Sequence, residues 1–349
     1  MKKKNILILI LIFVLTIVGC KPILGFEEVD VNVSSSELTI SDYFPFTENK
    51  AFYYEGIGNE FAEQMVYFEF IEDNKAQLKI MNPATNVVRV LEYEEGQLRE
   101  IYNEGEFYHI ENMLGFKGEQ TNIVLAEPLE VGNSWTTADG FNRSITGLDV
   151  DIETPMGSYK ALEVTTEFDD GRMQKQYYVR DIGMVASIFK DGDSTIETLL
   201  KSIEDGPLVI DIEAYYPLYS DIKTAYINEK INFYTNGSIE KLLEDILKNP
   251  PNDELISVIP DSVIINSIKL DRSSWTLRVD FSQELLTDLN IGSSMETEIL
   301  KSIVNTLGRL YDVENVYISI EGRPYESGHY AIRDDEFFNV DIEEIQKYE

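Results

Sequence analysis

Residues 275–282 read Trp-Thr-Leu-Arg-Val-Asp-Phe-Ser, and this stretch decides how the second half of the chain is read. Its apolar positions alternate, which places Trp275, Leu277, Val279 and Phe281 inward and Thr276, Arg278 and Asp280 outward. A period of two belongs to a strand with one buried side. Upstream, Val263–Leu270 is a similar run, and Asp271–Ser274 supplies the turn of a hairpin. Further upstream, Asn236-Gly237-Ser238 precedes Ile239, Leu242, Leu243, Ile246 and Leu247, an apolar stripe at helical spacing ended by Pro250-Pro251. Leu208–Tyr216 and Ala225–Phe233 read as strands. Downstream, Ser293 and Glu296 have the spacing of a capping box, opening a helix that carries Ile299, Ile303, Val304, Leu307 and Leu310. Val316–Glu321 is a last strand, stopped at Gly322. The order β-β-α-β-β-α-β predicts a small α+β sandwich with helices on one face of a mixed sheet. Asp205-Gly206-Pro207 bounds it, giving a domain over 207–340 with its own two-helix core and an acidic C-terminal tail over 341–349.

A family pattern runs through the same residues. Its carriers are Leu242-Leu243 with Asn249-Pro250, Ile259-Pro260 before the hairpin, and Val279-Asp280-Phe281-Ser282. Ile303-Val304-Asn305-Thr306-Leu307 and the Val-x-x-Val-x-Ile-x-Ile-x-Gly run from Val313 to Gly322 complete it. Over about residues 208–335 the chain therefore resembles the GerMN domain of bacterial sporulation and spore-germination lipoproteins. Asn249 stands where that family has glycine, and the region before residue 208 has no counterpart in it. The resemblance implies no enzymatic chemistry. It relates the fold to ring-building motifs of secretion and sporulation channels, hence to assembly or docking. From the residues alone, Phe281 fills core, and Asp280 and Ser282 flank a strand end whose turn they cap. Asn305 and Thr306 satisfy backbone groups at a helix–sheet seam, and Pro260, Val279 and Gly322 are read as structural with them.

Residues 41–204 have a different texture, with short alternating runs broken by Gly, Asn and Asp. The runs are Met65–Ile71, Ala76–Ile80, Val87–Tyr93, Leu98–Tyr102, Ile145–Ile152, Lys160–Phe168, Gln174–Val179 and Met184–Phe189. Asp170-Gly171 is a hairpin signal between two of them. From Ile145 to Glu153, Leu148, Val150 and Ile152 fall on one face and Asp149, Asp151 and Glu153 on the other. Helical spacing first appears at Ser194–Ile203. The expectation is an antiparallel β-rich domain, a curved sheet or open barrel. Its apolar concave side either is plain core or holds a lipid or hydrophobic ligand.

The N-terminus is an address. Lys2, Lys3 and Lys4 precede an apolar run from Ile6 to Val18, about 20 Å of helix at 1.5 Å per residue, against a bilayer core of ~30 Å. That is a signal-peptide length, so residues 1–19 are expected to be removed. Ile17-Val18-Gly19-Cys20 resembles the lipobox, with cleavage between Gly19 and Cys20 and a diacylglyceryl group on the Cys20 thiol. Residues 20–40 then read as a lipidated tether reaching on the order of 25 Å from the membrane.

Composition narrows the chemistry. Twenty-nine Lys and Arg against 63 Asp and Glu give a net charge of −34, a field that repels nucleic acid. With Cys20 the only cysteine, no internal disulfide or thiolate zinc site is available. His109 and His329 are the only histidines and are read as packing or surface residues. Asp191-Gly192-Asp193 starts like a calcium loop, but Ser202 stands where the twelfth-position Glu is required. Paired carboxylates such as Glu153 and Glu163 remain as a hydrolase reading, which requires one acid of raised pKa. The expectation is therefore a non-catalytic lipoprotein without cofactor or metal, on the extracytoplasmic face of the cell membrane. It docks onto an envelope complex, or self-assembles, through the GerMN-like domain, in a sporulation or germination setting implied by the resemblance. The alternative is a lipoprotein that binds a lipid or hydrophobic ligand in its β-rich domain.

Overall fold

The computed structural model describes residues 38–289 and 291–348. Gly19 and Cys20, and most of the expected tether, lie outside the described residues. After the short helix α1 (Ile40–Tyr43) come twelve strands: β1 (Lys50–Ile57), β2 (Gln64–Glu72), β3 (Lys75–Met81), β4 (Asn86–Glu94), β5 (Gln97–Gly105), β6 (Asn122–Ala126), β7 (Ser134–Thr136), β8 (Asn142–Thr154), β9 (Gly157–Glu167), β10 (Met173–Val179), β11 (Gly183–Asp191) and β12 (Ser194–Asp205). They form one antiparallel sheet in which β1 pairs with both β2 and β12, and β6 and β7 are the ends of the hydrogen-bonded order. The sheet is thus a nearly closed barrel with one seam. Side chains bridge that seam. Trp135 Nε1 and Arg143 Nη1 donate to the Ile123 carbonyl at 3.0 and 3.3 Å, and Asn133 Nδ2 donates to that of Ala126 at 2.9 Å. These bonds occupy edge groups that would otherwise be open to strand pairing.

Two local expectations in this half are corrected. Ser194–Ile203 is strand, not helix: β12 pairs Tyr54 with Leu200 and Phe52 with Ile203, skipping one residue at Lys201. That bulge shifts the alternation and mimics helical spacing. The clean alternation of 148–153 also fails at its start. A register irregularity lies between Gly147 and Val150, Asp149 has φ +56°, and Leu148 is left 44% exposed.

The second half continues with β13 (Leu208–Pro217), β14 (Thr224–Phe233), α2 (Ile239–Lys248), β15 (Ile265–Asp271), β16 (Thr276–Phe281), α3 (Glu284–Thr287), α4 (Ser293–Tyr311), β17 (Asn315–Ile320), β18 (Arg323–Pro324), β19 (Phe338–Asn339) and β20 (Gln346–Lys347). The strands make two sheets rather than one. One is β13-β14-β20, and the other runs β15-β16-β17-β18 with β19 also on β17. β16 and β17 run parallel. Helix α2 starts at Ser238, whose Oγ accepts from Lys241 N, and it buries Ile239, Leu243 and Leu247. Helix α4 buries Ile299, Ile303, Val304, Leu307 and Leu310, but its N-cap is Gly292 and no capping box forms. Glu296 is turned inward instead, accepting from Tyr325 Oη at 2.8 Å. Trp275 is likewise not on the inner face. It sits in the turn at φ +50°, 43% exposed, while Thr276 is buried.

The two halves share a core. Tyr67, Phe70, Val88, Val90 and Ile101, on the outer face of β2, β4 and β5, pack in one cluster with Phe233, Leu243, Val279, Phe281 and Tyr311. The turn after β14 docks along β2: Thr235 Oγ1 donates to the Phe68 carbonyl, and the Asn236 side chain bonds both backbone groups of Ile71. Residues 106–117 cross the same face without regular structure, burying Phe107, Ile110 and Met113. Their backbone is served by β3 side chains. Gln77 accepts from Met113 N and donates to the Glu111 carbonyl, and Lys79 donates to that of His109. No helix among the described residues is long and apolar enough to cross a membrane.

Candidate functional site

The barrel holds a half-open cavity of about 390 Å³. Its apolar wall comes from alternate residues of the first strands, Phe52, Val66, Phe68 and Leu78, whose neighbours face the shared core. Its polar wall carries Arg89, Arg143, Gln174, Gln176 and Tyr178. The segment after α1 folds in against these residues. Phe44 lines the cavity with its ring 6.2 Å from that of Tyr178, and Phe46 stacks on Tyr93 at 4.4 Å. Tyr93 Oη donates to the Phe44 carbonyl, and Ile40 N donates to Glu127.

Charge inside the barrel is uneven. Arg89 is paired with Glu100, which also accepts from Asn103 Nδ2 at 2.8 Å. Arg143 Nε donates to Thr166 Oγ1 at 2.8 Å and Nη1 to the Ile123 carbonyl; among the described residues no carboxylate lies within 4.0 Å of it. Burial pushes its guanidinium down from the ordinary value, and burial pushes the Tyr178 phenol up, so the hydroxyl stays a donor. Tyr54 Oη is used by the Met184 carbonyl at 2.8 Å, whereas Tyr178 Oη has no protein partner among the described residues. The Gln176 Oε1 is buried without one too.

The motif residues of the second half lie elsewhere, inside its scaffold. Val279 and Phe281 are fully buried in β16. Asp280 accepts from Ser319 Oγ at 2.6 Å, Gly322 N at 2.7 Å and Asn266 Nδ2 at 2.9 Å. Burial raises its pKa, and these three donors outweigh that and hold it below the usual carboxylate value. Gly322 takes φ +75°, a region that favours glycine. Ser282 Oγ accepts from Ile264 N at 3.0 Å, and the Pro260 carbonyl accepts from Val263 N. Asn305 clamps Asp341 through both backbone groups, at 2.7 and 2.9 Å, and Thr306 Oγ1 accepts from Tyr215 N at 2.9 Å. The C-terminal residues pack rather than trail, since β20 pairs with β14.

The carboxylates of the hydrolase reading do not form an acid–base pair. Glu153 is exposed. For Glu163, burial raises the pKa but bonds from Thr146, Lys175 and Tyr177 leave it lowered, opposite to what a general acid requires. Sequence reasoning named none of the cavity's polar residues. Arg89, a charge inside the run Val87–Leu91, was the available signal.

Residues 213–326 match the family model described as "Germane: Sporulation and spore germination". Among solved structures the chain is similar to the first GerMN domain of the sporulation protein GerM from Bacillus subtilis, at 19% identity over 36% of this chain and 96% of that one, with TM-score 0.28. The tandem GerMN domains of the same protein match at 19% identity over 36% of this chain and 46% of that one, with TM-score 0.27. A protein of YmcC-like fold from Bacteroides fragilis matches at 11% identity over 47% of this chain and 99% of that one, with TM-score 0.32. No curated protein matches the chain.

Proposed function

We propose that the chain is a non-catalytic lipoprotein, held on the extracytoplasmic face of the cell membrane by a diacylglyceryl group on Cys20. Its second half docks onto an envelope protein complex of sporulation or spore germination. The observation that supports this reading is the match of residues 213–326 to the sporulation and spore-germination family. The test is in-cell photocrosslinking from position 219, where Tyr219, two residues past the end of β13, is 80% exposed, followed by mass spectrometry. Reproducible capture of sporulation or germination envelope subunits is the expected result; only self-crosslinks or scattered neighbours refute docking. Cys20→Ala should release the chain from membranes or leave it uncleaved, and unchanged lipidation and fractionation refute the anchor.

A second reading is favoured by the cavity. A half-open cleft in the barrel, walled by Phe52, Phe68, Tyr54 and Tyr178, supports a barrel that holds a small amphipathic ligand while the second half docks.

A further inference from the structure

The cavity contains a positive charge that the fold leaves uncompensated. Two guanidiniums, Arg89 and Arg143, face one nearby carboxylate, Glu100, and Arg89 takes it. Arg143 has five N–H donors and spends two, on Thr166 and Ile123. Closing the seam does not need this charge. Asn133 makes the equivalent bond to Ala126 with a neutral amide. Taking a guanidinium out of water is costly, by several kcal/mol, unless an anion meets it. The free hydroxyl of Tyr178 lies on the same wall as a second donor. The Gln176 amide has only a 3.5 Å contact to the Met184 sulfur, so either end can turn inward.

We propose that the barrel cavity binds a small amphipathic monocarboxylate, its head on Arg143 and its apolar body against Phe52, Phe68 and Leu78. This rests on the ligand-holding reading of the barrel. One uncompensated charge matches a monoanion, whereas a phosphate dianion leaves the site net negative. A cavity of about 390 Å³ with one apolar wall suits a single short chain better than a two-chain lipid. An apolar wall opposite the donors excludes a fully polar anion such as formate as the fitting guest.

The test uses the full-length chain in lipid nanodiscs at pH 7, with empty nanodiscs as blank. The probes are octanoate labelled with carbon-13 at its carboxyl, 1-octanol and octyl phosphate. Charge-assisted hydrogen bonds contribute about 1.5–3 kcal/mol, so octanoate should bind at least tenfold more tightly than octanol. Arg143→Gln should bring the two within about twofold. Leu78→Trp, which fills the cavity, should abolish saturable binding of both. Equal binding of octanoate and octanol overturns the carboxylate assignment and leaves the ligand-holding barrel standing. Tighter binding of octyl phosphate overturns the monoanion. Saturable binding of none of the three overturns the barrel reading and the assignment together. If Arg143→Gln weakens the seam and fails to fold, the comparison of octanoate with octanol on the unaltered chain decides alone.

Discussion

Lys79→Met is the substitution that bears most directly on how the two halves are held together. Lys79 and Glu69 lie 2.8 Å apart with side chains 2% and 0% exposed, on the outer face of the barrel beneath residues 106–117. Glu69 is the bulged residue of β2, skipped between Phe68 and Phe70, and its other oxygen accepts from Gln77 Nε2 at 2.7 Å. Removing one member of a buried ion pair leaves the other charge uncompensated, at a cost of about 3–5 kcal/mol. Lys79→Met also orphans the His109 carbonyl, whose donor is the Lys79 ammonium. Glu69→Gln alone should cost a similar amount, because it strands the ammonium. In the double variant both charges are gone and Gln77 keeps an acceptor, so the loss should fall to about 1–3 kcal/mol. Urea denaturation followed by circular dichroism measures all four corners of this cycle. Hydrogen exchange should rise at 107–114 in Lys79→Met and stay unchanged in β8–β11. A cost for Lys79→Met below about 1 kcal/mol, or a double variant as costly as the two singles summed, refutes the reasoning.

Two further outcomes follow from particular contacts. For Glu296, burial raises the pKa, but bonds from Ser327, His329 and Tyr325 outweigh it and leave the carboxyl below its ordinary value of 4.5. A depressed pKa contributes stability that is present above about pH 4.5 and is lost as pH falls through the folded value. Glu296→Gln should therefore flatten the loss of stability on the acid side, and an unchanged slope in acid denaturation refutes the contribution. Residues 207–349 expressed alone should fold on the α2–α4 core but expose Phe233, whose ring meets Phe70 at 5.5 Å, and Tyr311, which stacks on His109 at 4.8 Å. Such a fragment should bind a hydrophobic dye and melt below the full chain. Equal melting without dye binding refutes a stabilising shared core.

What the sequence disclosed, and what it hid, follows from how many sides of each element are buried. β16 alternates from Leu277 to Phe281, with Leu277, Val279 and Phe281 buried and Arg278 exposed, and was legible for that reason. β4 is buried on both faces, with Leu91 in the barrel and Val88 and Val90 in the shared core, so Val87–Leu91 shows no alternation and is apolar at every position but Arg89. Nothing in such a run says that Arg89 points into a cavity. β7 is three residues long, too short to carry a period, although its Trp135 closes the seam. β1, Lys50–Ile57, and β12 were obscured by their shared bulge at Lys201, and β12 consequently read as helical. The GerMN-like half was legible because its signal lies in local strings at fixed spacing. Its motif polar groups, Asp280, Asn305 and Thr306, bond backbone inside that same half. The cavity site draws Arg89, Arg143 and Tyr178 from β4, β8 and β10, and only barrel closure brings them together.

The segment nearest the expected anchor is also part of that site. Phe44 lines the cavity and packs on Tyr178, the residue that offers a free donor beside Arg143. A guest seated on Arg143 therefore touches, directly or through Tyr178, the chain that leads toward Cys20. Linkage fixes the direction of the effect. A ligand bound only when Phe44 is seated stabilises that seating by RT ln(1 + [L]/Kd), about 2.7 kcal/mol at a hundredfold excess over Kd. Phe44 and Phe46 are held by ring contacts and by single bonds such as Tyr93 to the Phe44 carbonyl, rather than by a strand ladder. A contribution of that size is comparable to what such contacts supply.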